Sequence, residues 1–336
     1  MYSYTDPTHE QWQAALAVFP EANLLQSWQW GEVNTQLGHT IVRRLISKDG
    51  TVCAMMSCII KDAKRGRYLE VPAGPLLNWD DVELSKAALA LLKELAAKHA
   101  CAFIRMRPQL PDTEKERARM QSFGLKQALM HVAADHTSII DVTPDEEELL
   151  RAMRQQTRYE VRRGAKRGVS VQAVDPAQHI ETFHALQADT AARQNFYPPS
   201  LAFLKAVSQT FGENAVLYQA TKGDTLLNMA LVLYFNQEVA YFEAASTPDA
   251  RREPGAYAII WKIIQDAKVR GFRLVNLWGT APPEAKNHRY AGVTTFKRGF
   301  GGEDVAYLPA YDMVLDPLRY SLTRLIEAIR KKRRRL

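Results

Sequence analysis

The chain of 336 residues is 46% hydrophobic and 24% charged, a globular composition long enough for two domains of ordinary size, so disorder is excluded as the default. Its formal net charge of +7 points towards phosphate-bearing partners or an anionic membrane surface. No apolar run approaches the roughly 20 residues of a membrane span, the start has no basic-then-apolar leader pattern, and three cysteines (Cys53, Cys58, Cys101) are too sparse for a disulfide framework; a reduced, cytoplasmic protein is expected.

Residues 7–20 and 26–37 have the apolar spacing of two short helices, the second carrying Trp28 and Trp30. Three strand-like runs follow at 41–47, 51–60 and 67–71, with a hairpin signal at Asp49-Gly50. Pro72-Ala-Gly-Pro75 interrupts them. Residues 80–99 repeat apolar positions at helical spacing (Leu84, Ala88, Leu91, Leu95), 101–106 reads as a buried strand, and 114–123 as a helix ended by Gly124.

The order then repeats. A strand at 137–142 leads to Thr143-Pro-Asp-Glu-Glu147, read as an N-cap threonine, a proline at the first helical position and an acidic first turn. The basic helix after it is expected to run to Arg167 and stop at Gly168. On it Arg151, Arg154, Arg158 and Arg162, three and four apart, form one stripe. A strand at 169–174, helices at 176–192 and 200–210, and strands at 215–220, 226–235 and 238–245 precede a helix from Pro254 to about Arg270, capped by Gly271, and a strand at 273–277. Strands near Val305 and Met313 and a last helix from Pro317 close the chain, ending in the cations 330–335.

Each half thus reads helices, three-strand meander, long helix, strand, which is the order of the GNAT acyltransferase fold in a mixed α/β sheet. The expected domains are 1–136 and 137–312, with 313–336 a helix packing back on the first. No coiled-coil arm fits between 175 and 215. A coenzyme-A donor needs a phosphate-holding loop before the long helix. Arg251-Arg-Glu-Pro-Gly-Ala-Tyr257 places Pro254 and Tyr257 where donor N–H and glycine are wanted, and Pro72-Ala-Gly-Pro75 lacks donors at both prolines. No serine elbow, Walker loop, histidine pair at helical metal-ligand spacing or cysteine–histidine nucleophile motif is seen, so no metal is expected.

The densest stretch is Ala291-Gly-Val-Thr-Thr-Phe-Lys-Arg-Gly-Phe-Gly-Gly302. It is read as a stiff glycine-rich loop pinned by Phe296 and Phe300 that presents Lys297, Arg298 and the N–H groups of Gly299, Gly301 and Gly302 to an anionic or carbonyl substrate. A plain turn with two solvated cations is the alternative.

Together these residues resemble the FemABX family of non-ribosomal peptidoglycan aminoacyltransferases. The likeness is carried by Gln26-Ser-Trp-Gln-Trp-Gly31, Thr137-Ser-Ile-Ile-Asp-Val142 with 146–168, Tyr241-Phe-Glu-Ala-Ala-Ser246, residues 254–279, and most specifically Phe296-Lys297-Arg-Gly-Phe-Gly-Gly302. The resemblance implies two tandem GNAT-like domains and transfer of an amino acid from aminoacyl-tRNA, used as co-substrate with no cofactor, to an amine of a lipid-linked or UDP-linked peptidoglycan precursor. It implies Lys297 at the reacting ester. The chain departs from the family at Asn34, where a lysine is frequent, at Arg107-Pro108, where Asp-Pro is frequent, and at Pro199 and Phe203.

Expected substrate contacts are then Asn34, Arg193, Tyr241, Trp278, Phe296, Gly299, Gly301 and Gly302, with Arg158, Arg162 and Arg298 on tRNA phosphates. The cations 330–335 suit the inner face of an anionic membrane. Acyl transfer from coenzyme A in polysaccharide modification is the alternative function, and a non-catalytic tRNA- or membrane-binding module a third.

Overall fold

The computed structural model describes residues 1–63, 66–194, 196–282 and 291–334, in two compact units: residues 1–135 with 306–336, and residues 136–305. The first opens with β1 (Tyr2–Thr5), which the sequence reading lacks, then α1 (His9–Leu16) and α2 (Trp28–Gln36). Thr8 and Gln11 form a capping box on α1, and Ser27 Oγ accepts the Trp30 N–H to start α2. The meander is β2 (Thr40–Lys48), β3 (Thr51–Ala63) and β4 (Gly66–Val71), with Asp49 and Gly50 at φ 51° and 81° in the hairpin turn, both in the region a primed turn needs. β5 (Leu76–Leu77) pairs with β3. α3 (Val82–Lys98) buries the expected Leu84, Ala88, Leu91 and Leu95 and leads to β6 (Phe103–Met106), parallel to β4. α4 (Glu114–Ser122) and β7 (Lys126–Gln127) follow.

The second unit runs β8 (His136–Asp141), α5 (Glu146–Ala152), α6 (Gln155–Lys166), β9 (Val169–Val174), α7 (Pro176–Gln194), α8 (Leu201–Phe211), β10 (Ala215–Lys222), β11 (Thr225–Phe235), β12 (Glu238–Ser246), α9 (Gly255–Val269), β13 (Leu274–Asn276), α10 (Ala291–Arg298) and β14 (Glu303–Ala306). Its sheet order is β14-β8-β13-β12-β11-β10-β9; β8–β13 and the run β12-β11-β10-β9 are antiparallel and β12–β13 is parallel. A core of Val232, Tyr234, Ile260, Ile264 and Val275 lies under α9.

Three expectations are corrected here. The cap of α5 is Asp145, whose side chain accepts from the Glu148 N–H, and not Thr143. The basic helix is two helices: Met153 and Arg154 are extended (ψ 145° and 143°), so Arg151 sits on α5 and Arg154 caps α6, and the four-arginine stripe is broken. Residues 291–298 are helical, and only the glycines after them form a turn. Thr294 and Lys297, one turn apart, are buried, which fixes the inward side of that helix.

The chain rejoins the first unit through β15 (Tyr311–Val314) and α11 (Pro317–Arg334). β15 lies between β6 and β7, completing the order β1-β2-β3-β4-β6-β15-β7. The expected boundary at 312 therefore falls inside a strand of the first unit. Both units hold a meander whose last strand (β4, β12) is parallel to the strand after a long helix (β6, β13), the repeated order read from the sequence.

Candidate active site

The β12–β13 pair opens part-way along. Its parallel register ends at Ala240 opposite Asn276, whereas β12 continues to Ser246. A bulge accompanies the opening: Val232 faces Tyr241 but Leu231 faces Glu243, leaving Phe242 as the extra residue. Backbone carbonyls past the end of β13 would be left without ladder partners. Lys297 supplies them, its Nζ donating to the Trp278 carbonyl at 2.6 Å and the Gly279 carbonyl at 2.9 Å. The rest of the loop is tied as firmly. Trp278 takes φ 51°, rare for a tryptophan, with its N–H donated to Asn276 Oδ1 at 2.9 Å, and the Ala281 N–H donates to Thr294 Oγ1 at 2.7 Å. Thr294 and Lys297 thus sew the loop to one side of α10.

Lys297 is 9% exposed, and burial pulls its pKa down to about 8 against the attraction of Glu243. Burial pushes the Glu243 carboxyl up to about 7, while the Gln187 amide and the Lys297 charge favour its ionised form. Gln187 is wholly buried on α7 and its Nε2 donates to Glu243 Oε2 at 2.8 Å. An ammonium has three N–H bonds, and two of these go to carbonyls. Among the described residues the third has no partner, so a cation with one donor left and a carboxylate poised near neutrality lie at an opened strand pair. Such an arrangement can stabilise an oxyanion and move a proton.

Around this pair, Tyr241 is partly buried on β12 and packs against the core. The Trp278 ring meets Phe242 edge-on, centroids 6.2 Å apart, and Phe242 lies 6.1 Å from Phe203. Arg193, exposed at the end of α7, donates to the Ser246 carbonyl and to Thr190 Oγ1, so it fastens the end of β12. Phe296 and Phe300 pack edge-on with each other and against Tyr257, pinning α10 to α9.

The glycines act differently from the expectation. The N–H groups of Gly299 and Gly301 donate within the turn, to the carbonyls of Phe296 and Arg298. Each glycine is a point of close packing. A Cβ on Gly299 would meet Thr157 Oγ1 at 2.2 Å, on Gly301 the Ala152 carbonyl oxygen at 2.6 Å, and on Gly302 Ser138 Oγ at 2.7 Å. They seat the turn on α5, α6 and β8, and the N–H groups of Gly299 and Gly301 are taken up within it.

The arginines also divide. Arg158 Nη1 donates to the carbonyls of Leu150, Arg151 and Met153, satisfying the end of α5. Arg298 pairs with Asp304 at 2.6 Å. Arg162 is exposed on α6. Arg154 donates to the Thr295 carbonyl and, with Gln155, Gln156 and the exposed Tyr159, lines an open depression of about 510 Å³. Asn34 belongs to the other unit. It is buried there, with Nδ2 on the Trp30 carbonyl and Oδ1 accepting from Lys61 Nζ at 3.0 Å. Arg107 is buried in the same unit, its guanidinium 5.1 Å over the Tyr307 ring.

Sequence reading missed Glu243, Gln187, Asn276 and Thr294. The signal for Glu243 is a carboxylate in the middle of a strand that is otherwise apolar between its end residues, Glu238 and Ser246. The signal for Gln187 is an amide four residues after Phe183, on the helix face that carries Ile180 and Phe183 inward.

A sequence model described as the FemAB family matches residues 5–223 and 218–328. The lipid II:glycine glycyltransferase of Staphylococcus aureus is 22% identical over 219 residues, 62% of this chain and 52% of that protein; the chain spans about half the length of the curated relatives it matches. The crystal structure of FemX is similar over 97% of this chain and 100% of its own, with a TM-score of 0.85 at 18% identity. A tandem GNAT protein from the clavulanic acid biosynthesis pathway covers 94% of this chain and 98% of its own, with a TM-score of 0.56 at 13% identity. At these identities the structural likeness carries the fold, and the expected two tandem GNAT-like units are met.

Proposed function

Because the chain belongs to the FemAB family, we propose that it is an aminoacyltransferase that lengthens the stem peptide of a peptidoglycan precursor, taking the aminoacyl group from aminoacyl-tRNA. The observation that carries this reading is the Lys297–Glu243 pair in the opened strand pair of the second unit.

The reaction is aminolysis of an ester. Glu243, ionised, takes a proton from the acceptor ammonium, and the free amine attacks the ester carbonyl. The C–N bond forms and the carbonyl oxygen takes up negative charge, which the remaining N–H of Lys297 stabilises. The C–O bond to the ribose then breaks, the ribose oxygen takes the proton held by Glu243, and the nitrogen passes its surplus proton to the carboxylate so regenerated, which releases it to water. No protein nucleophile is needed, since the ester is already activated. Alignment supplies about 7–11 kcal/mol and one placed donor about 3 kcal/mol. Phe242 and Trp278 meet edge-on near the pair, and Gln187 keeps Glu243 oriented.

A nucleic-acid donor is favoured by the depression beside α10. It combines Arg154, Arg162 close by and the ring of Tyr159, 58% exposed: cations for phosphates and a face for a base. Acyl-coenzyme A is disfavoured by the start of α9. Pro254 caps it without a side-chain hydrogen bond, and Glu253, ion-paired to Arg167 and Lys222, places a carboxylate where a pyrophosphate would need positive potential. Gly164 of α6 also packs there, a Cβ on it lying 3.6 Å from Pro254 Cγ. Reaction at the cytoplasmic face of the membrane, where both donor and precursor occur, completes the proposal.

The test offers purified protein charged tRNAs with UDP-linked and lipid-linked precursors, read by mass spectrometry. A stem peptide longer by one residue supports the reading. Product from acyl-coenzyme A and none from charged tRNA overturns it.

A further inference from the structure

The inward and outward faces of α11 are reversed in polarity. Facing the fold are Tyr320, Thr323 and Glu327, all buried. Glu327 receives Arg105 Nη1 at 2.7 Å, Arg105 also grips Asp312 through Nε and Nη2 at 2.7 Å each, and Tyr320 donates to Asp312 at 3.0 Å. Opposite them Leu318, Leu322, Leu325 and Ile329 are 86%, 59%, 60% and 48% exposed. Four, three and four apart, they form a single stripe. Of the twelve large hydrophobics left exposed among the described residues, only these four share a helix face, so they are not the scatter that any surface carries.

One flank of the stripe is cationic. At about 100° per residue, Arg319 and Arg330 lie beside it on one side, whereas on the other Arg324 and Lys331 lie further round, Arg324 over the Tyr320 ring. The one acid of the helix, Glu327, points inward, and the sequence continues in cations to Arg335. We propose that this outer face of α11 docks on the anionic surface of a lipid bilayer, with the aliphatic stripe at the acyl boundary, Arg319 and Arg330 among the headgroups beside it, and the cationic end of the helix adding attraction. A second copy would bring like charges together along the same stripe. A nucleic acid would offer four aliphatic side chains no apolar partner. No described helix is long and apolar enough to cross a membrane, so the contact lies in the interface plane. The inference stands on α11 alone and needs no part of the reaction proposed above.

The test is co-sedimentation of the whole chain with phosphatidylglycerol–phosphatidylcholine vesicles, against phosphatidylcholine alone. Binding is expected only to the anionic vesicles and weakens as salt rises. The double variant Leu322→Gln, Leu325→Gln should partition about tenfold more weakly with an unchanged unfolding midpoint, since both side chains lie outside the core. Equal partitioning of variant and parent, or a parent that ignores anionic vesicles, overturns the proposal. So does a lipid-free dimer that the variant converts to monomer, which gives the face to a second copy. Loss of tRNA binding in the variant with vesicle binding intact gives it to RNA, and also overturns it.

Discussion

Lys297 and Glu243 are held where burial opposes the charge each needs for the chemistry. Glu243, raised to about 7, contributes stability that is present at low pH, below the ordinary carboxyl range, and lost as pH rises through about 7. Lys297, lowered to about 8, contributes stability that is present at high pH and lost as pH falls through about 8. Near neutrality the pair therefore costs stability while serving proton transfer. Glu243→Gln should raise the unfolding midpoint over the parent at about pH 8 and leave it nearly unchanged near pH 4, as thermal melts across that range will report; a difference independent of pH contradicts the assignment. In turnover the same variant should lose roughly 10²–10⁴-fold and flatten the acid limb of the rate profile near 7. Lys297→Ala should lose about 10²–10³-fold and remove the fall above about 8. The limbs belong to the coupled pair, so each variant shifts the other's limb. Lys297 stood out in the sequence because its neighbours are distinctive. Glu243 did not, because a carboxylate on a meander strand gains meaning only when the bulge at Phe242 and the end of β13 leave a gap beside it.

Elements were legible where their signal is local. The Asp49-Gly50 turn, the inward face of α3 and the glycine stops after α4, α6 and α9 follow from φ preference and helical spacing. Helix α10 was not, because four glycines in twelve residues suggest a loop, whereas the helix there is set by burial of Thr294 and Lys297. The same glycines give opposite predictions. Gly301 sits at φ 82°, and a Cβ added there would lie 2.6 Å from the Ala152 carbonyl oxygen. Gly301→Ala is therefore expected to destabilise by about 1–3 kcal/mol in denaturant melts. Gly292, in α10 with nothing within 4 Å of its Cβ position, should accept Gly292→Ala with a gain of about 0.5–1 kcal/mol. Equal effects at the two positions would mean that the turn is not seated on α5 in the way described.

At the scale of the whole molecule, the duplicated architecture was legible because each half repeats the same succession of periodicities, and a parallel pair on either side of a long helix reappears in both sheets. The return of the chain to the first sheet was not. β15 is four residues long, and its place beside β6 is set by Asp312, whose carboxylate meets Arg105 across more than two hundred residues of sequence. Removing Glu327 from that buried set leaves Arg105 balanced by Asp312 but takes the carboxylate from its Nη1 donor. Glu327→Ala should therefore cost about 1–3 kcal/mol of stability, measured by denaturant unfolding, and a cost within error of zero would contradict the fastening of α11 through Arg105. The central claim is that an amine and an ester meet beside Lys297 and Glu243. It is tested most directly by single-turnover transfer from charged tRNA to precursor, comparing the parent with Glu243→Gln across pH. The account predicts one added residue per stem peptide, formed by the parent at a rate that rises through about pH 7 and by the variant slowly and without that rise. A variant as fast as the parent with the same pH profile would contradict it.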